Sequence, residues 1–225
     1  TMTHLITTQA LRAAGANAVR AELWLEPIRA AADAYGITTP KPVAAFLPQI
    51  GHESANFKYT TELWGPTDAQ RRYEGRADLG NTQPGDGARY KGHGLIQVTG
   101  RANHAAARDR MRAKFGPDVP DFEAHPELLA EREWAAMSAA DYWYSRRLNW
   151  LADADNFELI TRRINGGLNG YADRLIKWHA VRAVLNCAGT TRASEDAQRA
   201  DNVGATAALL SAITWSKPSG APLAS

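Results

Sequence analysis

The chain has 225 residues, 44% of them hydrophobic and 22% charged, and its 26 Lys and Arg against 24 Asp and Glu leave a net charge of +2. That length and composition are ordinary for a globular protein with one sizeable core or two small ones, and no apolar run approaches membrane-spanning length. The charge imbalance is too small to argue for nucleic acid, and the interleaved aromatic and basic residues of single-strand binders are missing.

In chain order, residues 7–18 read as a short helix with a Thr cap, and Thr8, Gln9, Arg12 and Asn17 interrupt any signal-like apolar run. No cleavable signal is therefore expected. From Ala21 to Tyr35 the apolar positions Leu23, Trp24, Ile28, Ala31 and Ala32 fall near helical spacing, and Gly36 is placed to end the helix. Pro27 either sits early in that helix or breaks it in two. After a Pro-containing turn comes a helix over 43–54, whose apolar run leads into His52 and Glu53.

Residues 56–90 change character, with glycines and prolines but few apolar positions at any period. The basic residues Arg71, Arg72, Arg76, Arg89 and Lys91 gather in it and just beyond its end. This reads as a long irregular excursion with room for a small hairpin, and a loop of that length is usually functional. Residues 92–100 read as a short extended segment between glycines, with Gln97 and Thr99 on one face. Helices follow over 103–115, from Pro126 through Leu129, over 135–144, over 156–163 with Asp155 or Asn156 as cap, and over 172–185. A Gly-rich turn, 165–170, precedes the last of them.

The tail carries one weak apolar run, 205–215, read as a docked short helix. Cys187 is the only cysteine, so the chain has no disulfide framework and no thiolate metal site; it reads as a passive filler. The organisation expected is a mainly α single domain over 1–188, with a C-terminal tail over 189–225.

Two carboxylates stand out. Glu53 ends an amphipathic helix between Ile50 and Phe57, and Glu62 follows nine residues later on the loop beyond. Such spacing most often means two solvated charges. The apolar company of Glu53 argues otherwise, since burial favours the protonated form a general acid requires, while a loop carboxylate can serve as base. An acid and a base on separate elements can flank a glycosidic bond at the roughly 6.5–9.5 Å needed to admit a water. Glu74, in a stretch rich in glycine and arginine, is a rival for the base; its plain reading is an ion pair with Arg72 or Arg76.

Other chemistries lack anchors. His52-Glu53 resembles the start of a zinc-protease helix, but position 56 is Asn rather than the second His. The glycines of 80–87 have no Gly-Lys-Thr/Ser, and no Gly-x-Ser-x-Gly elbow exists. No metal and no cofactor is expected. His52 reads as a residue that orders or packs against the Glu53 loop, and His104 as an ordinary helix residue. Trp64 and Tyr73 suit either core packing or stacking on sugar faces.

Four blocks together resemble a known family: residues 46–54 (Phe-Leu-Pro-Gln-Ile-Gly-His-Glu-Ser); Tyr73-Glu74-Gly75-Arg76 with Leu79-Gly80-Asn81; residues 85–101; and Ile164-Asn165-Gly166-Gly167 with Asp173-Arg174. They are similar to the glycoside hydrolase family 19 endolysins, chitinase-like lysozymes of phages and prophages. The resemblance runs from about residue 20 to about residue 186. It implies a lysozyme-like, two-lobed helical domain that hydrolyses β-1,4 links between amino sugars with inversion. By position, Glu53 is then the general acid, Glu62 the second carboxylate, and Thr99 the hydroxyl that helps place the attacking water. Gln97, Asn165 and Arg174 match positions that line the saccharide cleft or hold the carboxylates. His93 departs from the family's usual Gly-Arg-Gly.

The partners so implied are peptidoglycan glycan strands, with no nucleic acid and no stable membrane insertion. A monomer made in the host cytoplasm would be released by a holin to the periplasm for host cell lysis. A chitinase acting on N-acetylglucosamine polymers is the alternative, and a catalytically dead wall-binding module is a third. Lack of a signal and of disulfides favours the lysin.

Overall fold

The computed structural model describes residues 4–185. Helix α1 (Thr8–Ala13) starts where the Thr7 hydroxyl accepts from Ala10 N–H at 3.1 Å. It is shorter than the span 7–18 expected, because the chain turns at Gly15 with φ +110° and Asn17 caps a new helix. Asn17 accepts from Arg20 N–H at 2.8 Å and opens α2 (Ala18–Ala34). A polar residue read as an interruption is thus a cap. Pro27 lies inside α2 without ending it. Gly36, at φ +67°, ends the helix as expected, with Ile37 N–H closing on Ala32 O at 2.8 Å.

Helix α3 (Pro40–Glu53) is the central element: Pro42 through Gly51 and Glu53 are all buried along it. Directly after it, Ala55, Asn56 and Phe57 take φ values of +50°, +63° and +62°. Three consecutive left-handed L-residues cost energy that the surroundings must supply. Here the Ser54 hydroxyl donates to Ile50 O at 2.6 Å and accepts from Phe57 N–H at 2.9 Å. Trp24 Nε1 donates to Phe57 O at 3.1 Å. The chain leaving Glu53 is held by α2.

The excursion contains α4 (Asp68–Arg71), a 3-10 turn (Ala77–Leu79) and α5 (Asp86–Arg89). No hairpin forms among the described residues; only isolated bridges link Thr61 to His93 and His93 to Val98. Residues 92–100 are not extended either. Gly94 (φ +82°) and Gln97 (φ +59°) fold 93–98 into a tight turn closed by His93 N–H to Val98 O (3.0 Å) and Val98 N–H to His93 O (2.8 Å). Gln97 and Thr99 therefore do not share a strand face.

Helix α6 (Arg101–Phe115) follows, and Pro126–Ala130 forms a 3-10 stretch rather than an α-helix. Helix α7 (Arg132–Ser145) buries Ala135, Ala136, Ala139 and Ala140, small residues that let neighbours approach. An unexpected helix, α8 (Leu148–Asp153), precedes α9 (Phe157–Asn165), capped by Asn156, and α10 (Tyr171–Val184).

Two hydrophobic clusters form. The larger joins α1, α2, α3 and α7 to α10, with Phe46 edge-on to Trp143 and Phe157 stacked on Trp178 at 4.6 Å. The smaller holds Ala107, Met111, Val119, Phe122 and Leu129, and Val98 and Met137 touch both. Helix α3 packs most extensively on α10, and α2 on α7. Among the described residues no helix is long and apolar enough to cross a membrane. Cys187, the run 205–215 and the tail 189–225 lie outside the described residues.

Candidate active site

Glu53 is 4% exposed at the last residue of α3, and Arg174, in the first turn of α10, is fully buried beside it. Arg174 Nη2 donates to Glu53 Oε1, and Nη1 donates to Gln49 Oε1. Gln49 lies one helical turn before Glu53 on the same face, and its Nε2 donates to Thr161 Oγ1 at 2.8 Å on α9. Thr161 in turn donates to Phe157 O at 3.1 Å. One chain of hydrogen bonds so ties α3, α9 and α10 around the carboxylate. Burial penalises the charged carboxylate, and the guanidinium offsets the penalty. Glu53 Oε2 accepts no hydrogen bond among the described residues, which leaves it for a substrate oxygen.

The same junction is clamped a second time by the preceding residues. His52 Nδ1 donates to Asp173 Oδ2 at 2.6 Å, and Lys177 donates to the same oxygen. The His52 contact, followed by Lys177, holds the Asp173 carboxyl down at about 2 against the opposing effect of burial. Gly170, at φ +69°, has no room for a Cβ, which would come 2.2 Å from the His52 ring. His52 does order the Glu53 region, through α10. Burial raises the Tyr142 phenol against the opposing Arg146 guanidinium, with a smaller contribution from Glu53, and its hydroxyl donates to Arg163 O at 3.1 Å.

Glu62 is half-buried on the excursion and accepts three hydrogen bonds. Gln70 Nε2 (3.0 Å) and the Tyr73 hydroxyl (3.3 Å) reach Oε1, and Gly92 N–H (2.9 Å) reaches Oε2. The three donors fix the orientation of the carboxylate. Tyr73, 3% exposed, has its phenol raised by burial and then by Glu62, so it positions the carboxylate and is not a platform for sugar. Trp64 is half-buried, tilted against Tyr73 at 6.2 Å.

Gln97 sits beside this carboxylate. A Cβ on Gly92 would come 2.6 Å from Gln97 Oε1, and Gln97 Nε2 donates to Gly94 O at 2.9 Å. The Thr99 hydroxyl donates to Gln97 O at 3.1 Å. The structure thus places Gln97 and Thr99 on the 92–100 turn, whose Gly92 amide holds Glu62 of the excursion, and Glu53 and Arg174 on α3 and α10. Asn165 ends α9 with its Oδ1 buried, and neither that oxygen nor Arg174 Nε has a hydrogen-bond partner among the described residues.

Glu74 is not paired with Arg72 or Arg76. Its two oxygens accept from Gly85 N–H (2.6 Å) and Gly87 N–H (2.7 Å) at the start of α5, while Arg76 pairs with Asp78. The free amides of a helix start outcompete a guanidinium that has its own local partner. His104, read as an ordinary helix residue, does lie on α6 but has a specific partner. It is fully buried, and its Nδ1–H donates to Gly100 O at 2.9 Å, which leaves Nε2 to accept from His93 Nδ1–H at 3.0 Å. Burial chiefly lowers both rings, His93 to about 3 and His104 to about 4. The neutral pair backs the turn that presents Gly92 to Glu62, and a lone His at 93 and another at 104 gave no hint of it.

Among the described residues no group of three or more His, Cys, Asp or Glu side chains is placed to hold a metal.

No family model matches the chain. It is 29% identical over 188 residues to a glycosyl hydrolase family 19 domain-containing protein of Haemophilus influenzae, covering 72% of this chain and 88% of that protein. Two endochitinases of Arabidopsis thaliana are 30% and 29% identical over 132 and 136 residues, and the match spans only 42% and 43% of their length. Chitinase C from Streptomyces griseus HUT6037 superposes with a TM-score of 0.64 at 20% identity, over 83% of this chain and 95% of that one. A point variant of chitinase C superposes at 0.59.

The fold is therefore the lysozyme-like helical fold of chitinase C, with a buried Arg–Glu pair at its central helix end. In sequence the chain is similar to a glycosyl hydrolase family 19 domain protein and to plant endochitinases.

Proposed function

We propose that the protein hydrolyses β-1,4 links between amino sugars in peptidoglycan, as an endolysin-type lysozyme acting by single displacement. Glu53 Oε2 gives its proton to the leaving oxygen, Glu62 takes one from water, and Thr99 orients that water. Gln97, Asn165 and Arg174 line the cleft or hold the carboxylates. The observation that carries the reading is the contrast between the two glutamates: one buried with an oxygen left open, the other held by three donors on a separate element. Asn165 Oδ1, buried without a partner, is a further group that a sugar amide or hydroxyl would satisfy.

For peptidoglycan speak the endolysin-like blocks around Glu53, Arg76, Gly92 and Asn165, and the bacterial relative that the chain spans over most of its length. In this reading the protein works as a monomer in the periplasm after a holin has released it from the host cytoplasm. A chitinase is the second reading, favoured by the likeness to plant endochitinases and to chitinase C.

Mass spectrometry of soluble products from purified Gram-negative peptidoglycan and, in parallel, from chitin oligomers separates the two. New reducing N-acetylmuramic acid ends support the lysozyme. Cleavage of chitin oligomers alone moves the assignment to a chitinase, and silence on both polymers overturns the hydrolase reading.

A further inference from the structure

Beyond the cleft, an open pocket of about 490 Å3 is lined by Tyr144, Ser145, Arg147, Asn149 and Trp150. Two hydrogen bonds fix its place. Asn149 Nδ2 donates to Gly36 O at 2.9 Å, just ahead of α3, and Lys41 in the first turn of α3 donates to Asp153 O at 3.0 Å on α8. The pocket therefore lies at the opposite end of α3 from Glu53, roughly 20 Å away at about 1.5 Å per residue.

Its lining divides into framework and free groups. Asn149 is committed, since its Oδ1 also accepts from Trp143 Nε1 at 2.7 Å, and the Ser145 hydroxyl donates to Tyr142 O at 3.0 Å. In contrast, the Tyr144 hydroxyl, the Arg147 guanidinium and the Trp150 indole N–H make no hydrogen bond or ion pair among the described residues. Tyr144 is 60% and Trp150 69% exposed, a large outlay of aromatic surface to water. Lys114 lies 5.9 Å from the Tyr144 ring centre, and among the described residues no carboxylate lines the pocket. Arg147 itself stands at φ +54°, a conformation that favours glycine.

Flat ring faces suit the C–H faces of pyranoses, and indole and guanidinium are donors only, so the ligand must be rich in acceptors. The cations with no facing carboxylate call for an anionic one. A neutral chitin chain would use the rings and leave Arg147 without a counter-charge.

We infer that this pocket is a second binding site, for a carboxylate-bearing amino-sugar strand of the peptidoglycan kind. Tyr144 and Trp150 stack on its sugars and Arg147 meets a carboxylate. The inference rests on the peptidoglycan reading of the cleft and adds a place where the polymer is anchored away from the point of cleavage.

The test is co-sedimentation of the full chain with purified sacculi and with chitin particles in the cold, beside turnover of soluble short glycan fragments. Two variants are compared with wild type: Tyr144→Ala/Trp150→Ala, and Arg147→Gly, which keeps the backbone conformation. The aromatic variant is expected to bind sacculi at least about tenfold more weakly, as truncation of aromatic anchors does, with soluble turnover unchanged. Arg147→Gly should lose the salt-sensitive part of sacculus binding. Undiminished retention of both variants by sacculi would overturn the inference even if wild type cleaves peptidoglycan. Retention by chitin alone would overturn the anionic ligand. Sacculus binding that needs the pocket in a protein that cleaves neither polymer would uphold the site and sink the hydrolase.

Discussion

Arg174 and Glu53 meet where neither reaches solvent: the arginine is fully buried, the glutamate 4% exposed, and a guanidinium nitrogen donates directly to the carboxylate. Removing one partner strands the other charge in the interior. Arg174→Met is expected to cost about 3–5 kcal/mol of unfolding free energy in urea titration. The double variant Arg174→Met/Glu53→Gln should recover part of that loss, because no charge is left stranded. A single-variant loss below about 1 kcal/mol would show that the pair is not buried as described.

A glycine two residues before Glu53 gives a prediction of unusual sign. Replacing a helical glycine by alanine ordinarily stabilises by about 1 kcal/mol. At Gly51 the added Cβ would come 2.3 Å from the Ala14 carbonyl oxygen and 3.1 Å from the Phe57 ring. The backbone atom cannot step aside cheaply, so Gly51→Ala should destabilise by about 1–3 kcal/mol and lower activity with it. A raised melting temperature would contradict the packing of α1 on α3.

Those two contacts also mark what could be read beforehand. The helix leading into Glu53, the helices of the second half and the stop at Gly36 were legible because apolar period, caps and glycine agree there. The break between α1 and α2 was not, since Asn17 serves equally as a polar interruption and as a cap. The extended reading of 92–100 failed because nothing local announces that Gln97 adopts φ +59°; the turn exists through its pairing with Thr61 and its backing by His104. Within the site, Glu53, Glu62 and Arg174 were legible as residue types in motif. Gln49, Gln70 and Tyr73, which hold them, were not, because long-range hydrogen bonds leave no periodic trace.

The buried histidine pair sets an acid limit. Both rings sit below the ordinary value of 6.5, His93 at about 3 and His104 at about 4, so the unfolded chain binds protons that the folded one refuses. Stability is then full above pH 6.5 and falls as pH drops from there through about 4 for His104 and about 3 for His93. Asp173, lowered from 3.8 to about 2, adds a further loss that begins below 3.8 and overlaps the end of that window. Imidazole proton shifts should show His93 and His104 untitrated at pH 5, and the urea midpoint should decline on the acid side of 6.5. A normal titration of both rings in the folded protein would contradict the burial.

In the proposed mechanism Glu74 has a structural part. Its hold on the amides of Gly85 and Gly87 braces α5, so Glu74→Gln should lower stability by about 1 kcal/mol or less, as loss of a capping contact at an exposed site does, and leave catalysis intact. Backbone amide exchange at Gly85 and Gly87 should rise in that variant; unchanged exchange would mean that the contact is not formed in solution.

The measurement closest to the centre sets wild type, Glu53→Gln, Glu62→Gln and Glu74→Gln side by side on one purified peptidoglycan, with circular dichroism to show that each is folded. The account predicts new reducing ends from wild type and from Glu74→Gln, and none above background from the other two. Full activity in folded Glu62→Gln together with its loss in folded Glu74→Gln would contradict the pairing of Glu53 with Glu62.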